Sequence, residues 1–160
     1  MIRNRVHDGR GFSLEKHNDN TTGNSTVPFT LLNGAALAYI GDAVYELAVR
    51  EYVVKQGKTK VHRLHQAAVK YVAATAQSQV ISNWLNQEDF LTQAEIEIFK
   101  RGRNHKINTK AKNASMADYS RSTGFEALIG WLHLTNQDER CQKLIDSSIK
   151  FINKSEGKYD

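Results

Sequence analysis

The sequence predicts an all-α fold for the part of the chain that follows residue 28. Hydrophobic residues recur at helical spacing from Phe29 onward, and no segment alternates apolar and polar residues as a half-buried strand does. Residues typical of helix ends stand at several of the expected boundaries. With 160 residues, of which 40% are hydrophobic, the chain is long enough for one domain with its own core.

Two apolar patterns predict the first helices. The first pattern has apolar residues three, four or seven positions apart: Leu37, Ile40, Val44, Leu47 and Val54. Because the opposite side of this helix is also small or apolar, we expect it to be buried nearly all round. The second pattern runs from Val61 to Leu85, with a predicted break near Ala73–Thr75.

A capping pattern predicts the next helix. Thr92 followed by Glu95 is typical of a capping box, in which each residue satisfies a backbone N–H of the other. Gly102 is typical of a helix end, so the helix is predicted between these positions. Residues 103–114 are polar and basic without an apolar period, and we expect them to form a loop.

The remaining helices follow that loop. One is predicted from about Ala117 to Leu134 on its apolar spacing. Thr135 and Asp138 are typical of a cap, which predicts a last helix from there to about Lys154.

Composition suggests how the chain is organised. Residues 1–28 are polar, with three glycines, four asparagines and the only proline, and we expect a flexible N-terminal arm. The helical domain then covers residues 29–155, and residues 156–160 form a tail. A single cysteine excludes an internal disulfide framework, and no segment resembles a membrane span. We therefore expect a cytoplasmic protein without a membrane partner.

Positive charge is concentrated in one segment. The whole chain carries +5, whereas residues 100–112 alone carry +6, which leaves −1 for the rest. The segment holds no acid, and its cations are Lys100, Arg101, Arg103, Lys106, Lys110 and Lys112. Such a cluster is either a solvated surface or a binding surface for phosphates, and concentration in an otherwise slightly acidic chain favours phosphates.

Two carboxylates lie in predicted helices that are otherwise apolar. Asp42 projects from the small, apolar side of the first helix, and Glu126 is the only ionisable residue in the segment 125–132. Burying a lone carboxylate costs several kcal/mol unless it is paired, protonated or bound to a metal. The two residues are either ligands of a divalent cation such as Mg²⁺ or Mn²⁺, or structural acids paired with Arg or Lys. Spacing alone leaves both alternatives open.

Three motifs carry a resemblance to the ribonuclease III family. Residues 37–44, LAYIGDAV, resemble its signature LEFLGDAV, and residues 125–130, FEALIG, resemble its second catalytic motif. The STGFEAL of residues 122–128 and the KRGRN of residues 100–104 are similar to the short bacterial form of the family, Mini-ribonuclease III. The resemblance covers about residues 31–151.

The resemblance implies a ribonuclease III-like helical endonuclease domain that hydrolyses phosphodiesters in double-stranded RNA. Asp42 and Glu126 would be the catalytic, metal-binding residues, with Mg²⁺ as the cofactor and Mn²⁺ as a substitute. The six cations of residues 100–112 would bind RNA. The family forms homodimers, and Tyr39 aligns with an aromatic residue that inserts into the partner, although a core tyrosine is the alternative. The implied substrate is the precursor of the large-subunit (23S) ribosomal RNA, with a large-subunit ribosomal protein as a further partner.

The sequence also departs from the full-length members of the family. Their further acidic positions fall here on Ala35, Ala38 and Thr123, so Asp42 and Glu126 remain, with Glu46 one turn away as a supporting acid. The short form shares this reduced set. Alternatives from other classes are a non-catalytic RNA-binding scaffold of the same fold and a helical phosphohydrolase of small nucleotides. The retained carboxylates argue against the first, and the basic segment argues against the second.

Overall fold

Six α-helices and no strands occupy the part of the chain that the computed structural model describes, which is residues 28, 31–57, 59–105 and 115–157. The predicted all-α class is confirmed. In chain order the helices are α1 Gly34–Lys55, α2 Val61–Val72, α3 Ala74–Asn86, α4 Gln93–Arg103, α5 Met116–Leu134 and α6 Asp138–Ser155.

Helix α5 is the central element and packs against α1, α3, α4 and α6, most closely against α1. An aromatic cluster fixes its middle. The fully buried ring of Phe125 meets Tyr45 of α1 edge to face at 4.9 Å between centroids and stacks on Trp84 of α3 at 5.5 Å. Aromatic pairs in these geometries add to the stability that burial alone provides. The backbone next to Phe125, including Glu126, is therefore held by the core.

Two of the predicted helix boundaries are confirmed. The Thr92–Glu95 capping box is present, with Thr92 N donating to the Glu95 carboxylate at 2.9 Å and Glu95 N donating to the Thr92 hydroxyl at 3.2 Å. The predicted break in the second apolar pattern lies at Ala73, which separates α2 from α3. Asn33 caps α1 by accepting from Ala36 N at 2.8 Å.

The prediction that Gly102 ends its helix is wrong. α4 continues to Arg103 and is capped at Asn104, so Gly102 lies inside its last turn. A Cβ at Gly102 would lie 2.6 Å from the Ala127 Cβ and 2.8 Å from the Gly124 Cα. This glycine therefore permits close packing of α4 on α5. Arg103, predicted to begin the loop, is helical, as are Lys100 and Arg101.

The prediction that Thr135 caps the last helix is also wrong. Its hydroxyl donates back to the carbonyl of Trp131 at 2.7 Å, so it closes the end of α5. α6 begins at Asp138 after Gln137, which makes no side-chain capping bond.

Helix α1 is not buried nearly all round, contrary to expectation. Its inner residues, including Leu37, are fully buried, whereas one side carries the exposed side chains of Tyr39 (80%), Leu47 (59%) and Val54 (53%). We call these three residues the exposed α1 stripe. The helix is apolar on nearly all sides because a second apolar surface faces away from the core of this chain.

The two ends of the chain are only partly described. The predicted arm lies outside the described residues apart from Pro28, and so do residues 158–160 of the predicted tail. The domain boundaries stay predictions. Among the described helices, none is long and apolar enough to cross a membrane.

Candidate active site

The crossing of α1 and α5 brings Asp42 and Glu126 together. The residue before Asp42 is Gly41, and a Cβ on it would lie 1.7 Å from the backbone oxygen of Glu126. The helices touch backbone to backbone at this point. The Asp42 carboxylate lies close enough to raise the pKa of Glu126.

Electrostatics at this crossing favour a bound cation. The pKa of Glu126 is raised to about 8, mainly by burial. The charge of Asp42 adds to this, and the charge of Glu46 has a smaller effect. Burial and the Glu46 charge also raise the pKa of Asp42. Where neighbouring carboxylates raise the pKa of an acid without a compensating cation, a divalent ion removes the repulsion.

The alternative of two structural ion pairs finds no support in the described residues. There, the acids that pair with Arg or Lys are others: Glu46 with Arg50, Glu156 with Lys70, and Glu95 with Arg140. No described lysine or arginine forms an ion pair with Asp42 or Glu126.

The positions where the family has further acids do not supply ligands here. Thr123 donates its hydroxyl to the backbone carbonyl of Tyr119 at 3.0 Å, and Ala35 and Ala38 carry no polar atom. Within the described part of the chain, no group of three His, Cys, Asp or Glu residues is placed to hold a metal. Two carboxylates still fit Mg²⁺, because that ion keeps several waters and needs few protein ligands.

Glu46 contributes charge to this site. It lies one turn after Asp42 on α1 and accepts a hydrogen bond from Arg50 at 2.8 Å, so its own charge is partly balanced. The predicted supporting role stays a prediction.

Sequence reasoning missed Gln77 of α3. Its side chain is 1% exposed, and its amide lies close enough to the Glu126 carboxylate to lower the pKa of that group. Neither atom of the amide has a hydrogen-bond partner in the part of the chain that the structure describes. No motif marks this residue, which stands in a run of alanines, threonine and serine.

The described part of the basic segment lies beside the acids. Gly102 packs on Gly124 and Thr123, so the last turn of α4 lies over the turn of α5 that precedes Glu126. Lys100 is exposed there. Arg101 donates to the carbonyl of Leu32 at 3.2 Å, and Arg103 packs over the ring of Phe99, 5.5 Å from its centroid. Lys106, Lys110 and Lys112 lie outside the described residues.

Tyr39 is not a core residue of this chain. It is 80% exposed, at the start of the exposed α1 stripe, and three residues before Asp42. The core alternative for this tyrosine is therefore excluded within one copy of the chain. A surface of this kind on the helix that carries Asp42 is suited to contact with another molecule.

Comparison with known proteins identifies the family of this fold. The Ribonuclease III domain family matches residues 35–137. Mini-ribonuclease 3 of Streptococcus pneumoniae is 48% identical over 126 residues, which are 79% of this chain and 98% of that protein. Mini-ribonuclease 3 of Staphylococcus aureus is 43% identical, covering 77% of this chain and 91% of that protein. A crystal structure of a Fusobacterium nucleatum protein superposes with a TM-score of 0.66 at 30% identity, covering 74% of this chain and 92% of the other.

The chain belongs to the ribonuclease III family, whose domain matches most of its length. Its two acids lie where the central helices α1 and α5 cross. The predicted enzyme class, an endoribonuclease of this family, is confirmed. Within the family, the chain is similar to the proteins named Mini-ribonuclease 3, as its motifs indicated. The family acts on double-stranded RNA and generally depends on a divalent metal.

Proposed function

We propose that this chain cleaves double-stranded RNA with Mg²⁺, for which Mn²⁺ can substitute, held by Asp42 and Glu126. One observation supports this most: the two carboxylates meet at the crossing of α1 and α5, burial and neighbouring carboxylates raise the pKa of each, and neither has a cationic partner among the described residues. Mutual repulsion of this kind disfavours the metal-free ionised site and therefore favours binding of a cation.

Different residues of the chain bind the cation and hold the site in place. A divalent cation bound here would supply an activated water and would stabilise negative charge on the phosphate and on the leaving oxygen. Asp42 and Glu126 hold that cation with oxygen atoms, the donor type that Mg²⁺ and Mn²⁺ prefer. The core packing of Phe125 fixes the backbone beside Glu126.

The basic segment holds the RNA. Lys100, Arg101 and Arg103 lie at the end of α4, beside the turn that precedes Glu126, and Lys106, Lys110 and Lys112 follow in the sequence. Phosphates and the 2′-hydroxyls of an A-form duplex are read largely without base sequence, so we expect affinity that depends strongly on salt and weakly on sequence.

The enzyme acts as a homodimer. The exposed α1 stripe supports this, because Tyr39, Leu47 and Val54 would be removed from water against a second copy of the same helix. Two copies place two acidic sites in one assembly, one for each strand of a duplex.

The biological substrate is the precursor of the 23S ribosomal RNA, and a large-subunit ribosomal protein shapes it for cleavage. The support is the resemblance of the motifs to the short form of the family and the high coverage of its members. The protein acts in the cytoplasm.

The test is cleavage of a duplex RNA in Mg²⁺ by the parent, Asp42→Asn and Glu126→Gln. We expect cleavage by the parent, and in both variants a loss of at least about a hundredfold in rate with RNA binding retained. Glu139→Gln, an exposed carboxylate change on α6, is the matched control and should cleave normally. A parent that binds duplex RNA but never cleaves it would instead establish the scaffold function. Cleavage that survives in either variant removes that residue from the mechanism.

A further inference from the structure

Gln77 is a buried polar side chain with no role in packing that explains it. It is 1% exposed, and neither its Nε2 nor its Oε1 has a hydrogen-bond partner among the described residues. An amide buried in this way is destabilising, and native proteins rarely leave one unsatisfied without a reason. Its neighbours on α3 include Val80, Ile81 and Trp84, all fully buried and apolar, so an apolar side chain would suit the core better.

The position of the amide gives the reason. α3 packs along α5, and the Gln77 amide lies beside the Glu126 carboxylate, where it favours the ionised form. The next residue, Ser78, is also buried and lies beside the carboxylate of Asp118 in the first turn of α5. Two adjacent polar side chains of α3 thus lie beside two carboxylates of α5.

The site needs such a partner because it has few ligands. The hydroxyl of Thr123 donates to its own helix, so a carboxylate at the crossing has little on α5 to orient it. A carboxamide is suited to this task, because its NH₂ group donates to a carboxylate while its oxygen accepts from a water of a hydrated cation. Groups that orient ligands in this way are worth about 10- to 100-fold in metal affinity.

We infer that Gln77 is a positioning residue of the active site: its Nε2 donates to the ionised carboxylate of Glu126 and holds it in the orientation that binds the divalent cation. This inference rests on the proposed function, in which Glu126 is a ligand. The hydrogen bonds of the Gln77 amide form only when the cation is bound. The residue therefore favours metal binding and lowers the stability of the metal-free protein.

The experiment compares Gln77→Met with the parent. Methionine has nearly the length of glutamine and no amide. In the metal-free protein we expect the melting temperature to rise by about 2 to 4 °C, since an unsatisfied buried amide is removed. Mn²⁺ affinity, measured by electron paramagnetic resonance, should fall about tenfold. At saturating metal, the KM for duplex RNA should stay unchanged while kcat falls.

The matched control is Gln79→Met, the same change at an exposed position of α3, which should alter neither property. Parental Mn²⁺ affinity in Gln77→Met would overturn the inference. If the stability of that variant also fell, Gln77 would be a merely structural residue. Should Gln77→Met not fold, the side-chain amide resonance of Gln77 in the parent decides: a shift on addition of Mg²⁺ supports the inference, and no shift overturns it.

The same Mn²⁺ measurements test the proposed metal site independently of Gln77. If the parent binds Mn²⁺ and Asp42→Asn and Glu126→Gln do not, the metal site stands whatever Gln77→Met does. A parent that binds no divalent cation overturns the metal site and the role of Gln77 together.

Discussion

Gly41 of α1 and Gly130 of α5 face each other where the two helices cross. A Cβ on Gly41 would lie 2.8 Å from the backbone nitrogen of Gly130, and one on Gly130 would lie 2.9 Å from that of Gly41. Each would also enter a carbonyl oxygen of the opposite helix, at 1.7 Å from Glu126 O and 2.0 Å from Leu37 O. These two glycines therefore set the distance between the helices that carry Asp42 and Glu126.

Gly41→Ala is expected to destabilise the protein and to abolish cleavage. The methyl group has only backbone to displace, so the helices must separate, at a cost of about 3 kcal/mol or more. The acids move apart with them. Chemical denaturation and RNA cleavage at a temperature where the variant is still folded measure the two effects.

Gly57→Ala is the control for that substitution. Gly57 has a positive φ of 84°, but no atom of the described residues lies within 4 Å of an added Cβ. Alanine there therefore meets backbone strain of only about 1 kcal/mol and no steric clash with them. Equal losses of stability in the two variants, or normal cleavage by Gly41→Ala, would contradict the role assigned to the crossing.

The sequence predicts what depends on neighbours along the chain. The Thr92–Glu95 capping box is a relation between residues three apart, and it is present as predicted. Gly102 shows the limit of such reasoning, because glycine both ends helices and permits close packing, and only the position of α5 distinguishes these uses.

The candidate site was predictable to the extent that its residues stand in motifs. Asp42 and Glu126 are anomalous within apolar helices, which singles them out, but their proximity depends on how the helices pack. Gln77 lies beside Glu126, which is 49 positions away in the sequence, and nothing in its own segment distinguishes it. The partly buried ion pair of Glu95 with Arg140, at 2.7 Å, likewise cannot be predicted from the sequence because it joins α4 to α6.

The metal-free protein is expected to lose stability as the pH rises. Burial and the charge of Asp42 raise the pKa of Glu126 from 4.5 to about 8, so the folded state binds a proton that the unfolded state releases between these values. Stability from this group is fully present below pH 4.5 and declines until about pH 8, by on the order of 1.4 kcal/mol for each pH unit crossed and by a few kcal/mol at most. Glu126→Gln should remove this part of the decline, as thermal unfolding in EDTA between about pH 5 and 8.5 will show. Parallel profiles for parent and variant would refute the buried, ionisable state of Glu126.

Binding of duplex RNA is expected to weaken steeply with salt. If all six cations of residues 100–112 contact phosphates, the slope of log affinity against log salt should approach about −5. Replacing Lys106, Lys110 and Lys112 by Gln should lower its magnitude by about 3. Fluorescence anisotropy in a Glu126→Gln background, which prevents cleavage, measures both slopes.

Two exposed lysines of α6 provide the control for this prediction. Lys143→Gln together with Lys150→Gln removes two positive charges from another helix and should leave the slope unchanged. A slope near zero in the parent, or equal reductions in the two sets of variants, would mean that the basic segment is only a solvated surface.

Tyr39→Lys is expected to convert a dimer into a monomer. The ring is 80% exposed in one copy of the chain and begins the exposed α1 stripe, so a charge placed there opposes burial against a second α1. Sedimentation equilibrium should give twice the 18.1 kDa of one chain for the parent and the single mass for the variant, with slower double-strand cleavage in the variant. Leu85→Lys changes an exposed leucine at the end of α3, which packs on α5, and should leave the parent assembly intact. Because both variants gain the same charge on an exposed apolar residue, a difference between them identifies α1 as the dimer surface, whereas a monomeric parent that cuts both strands at full rate shows that no dimer is needed.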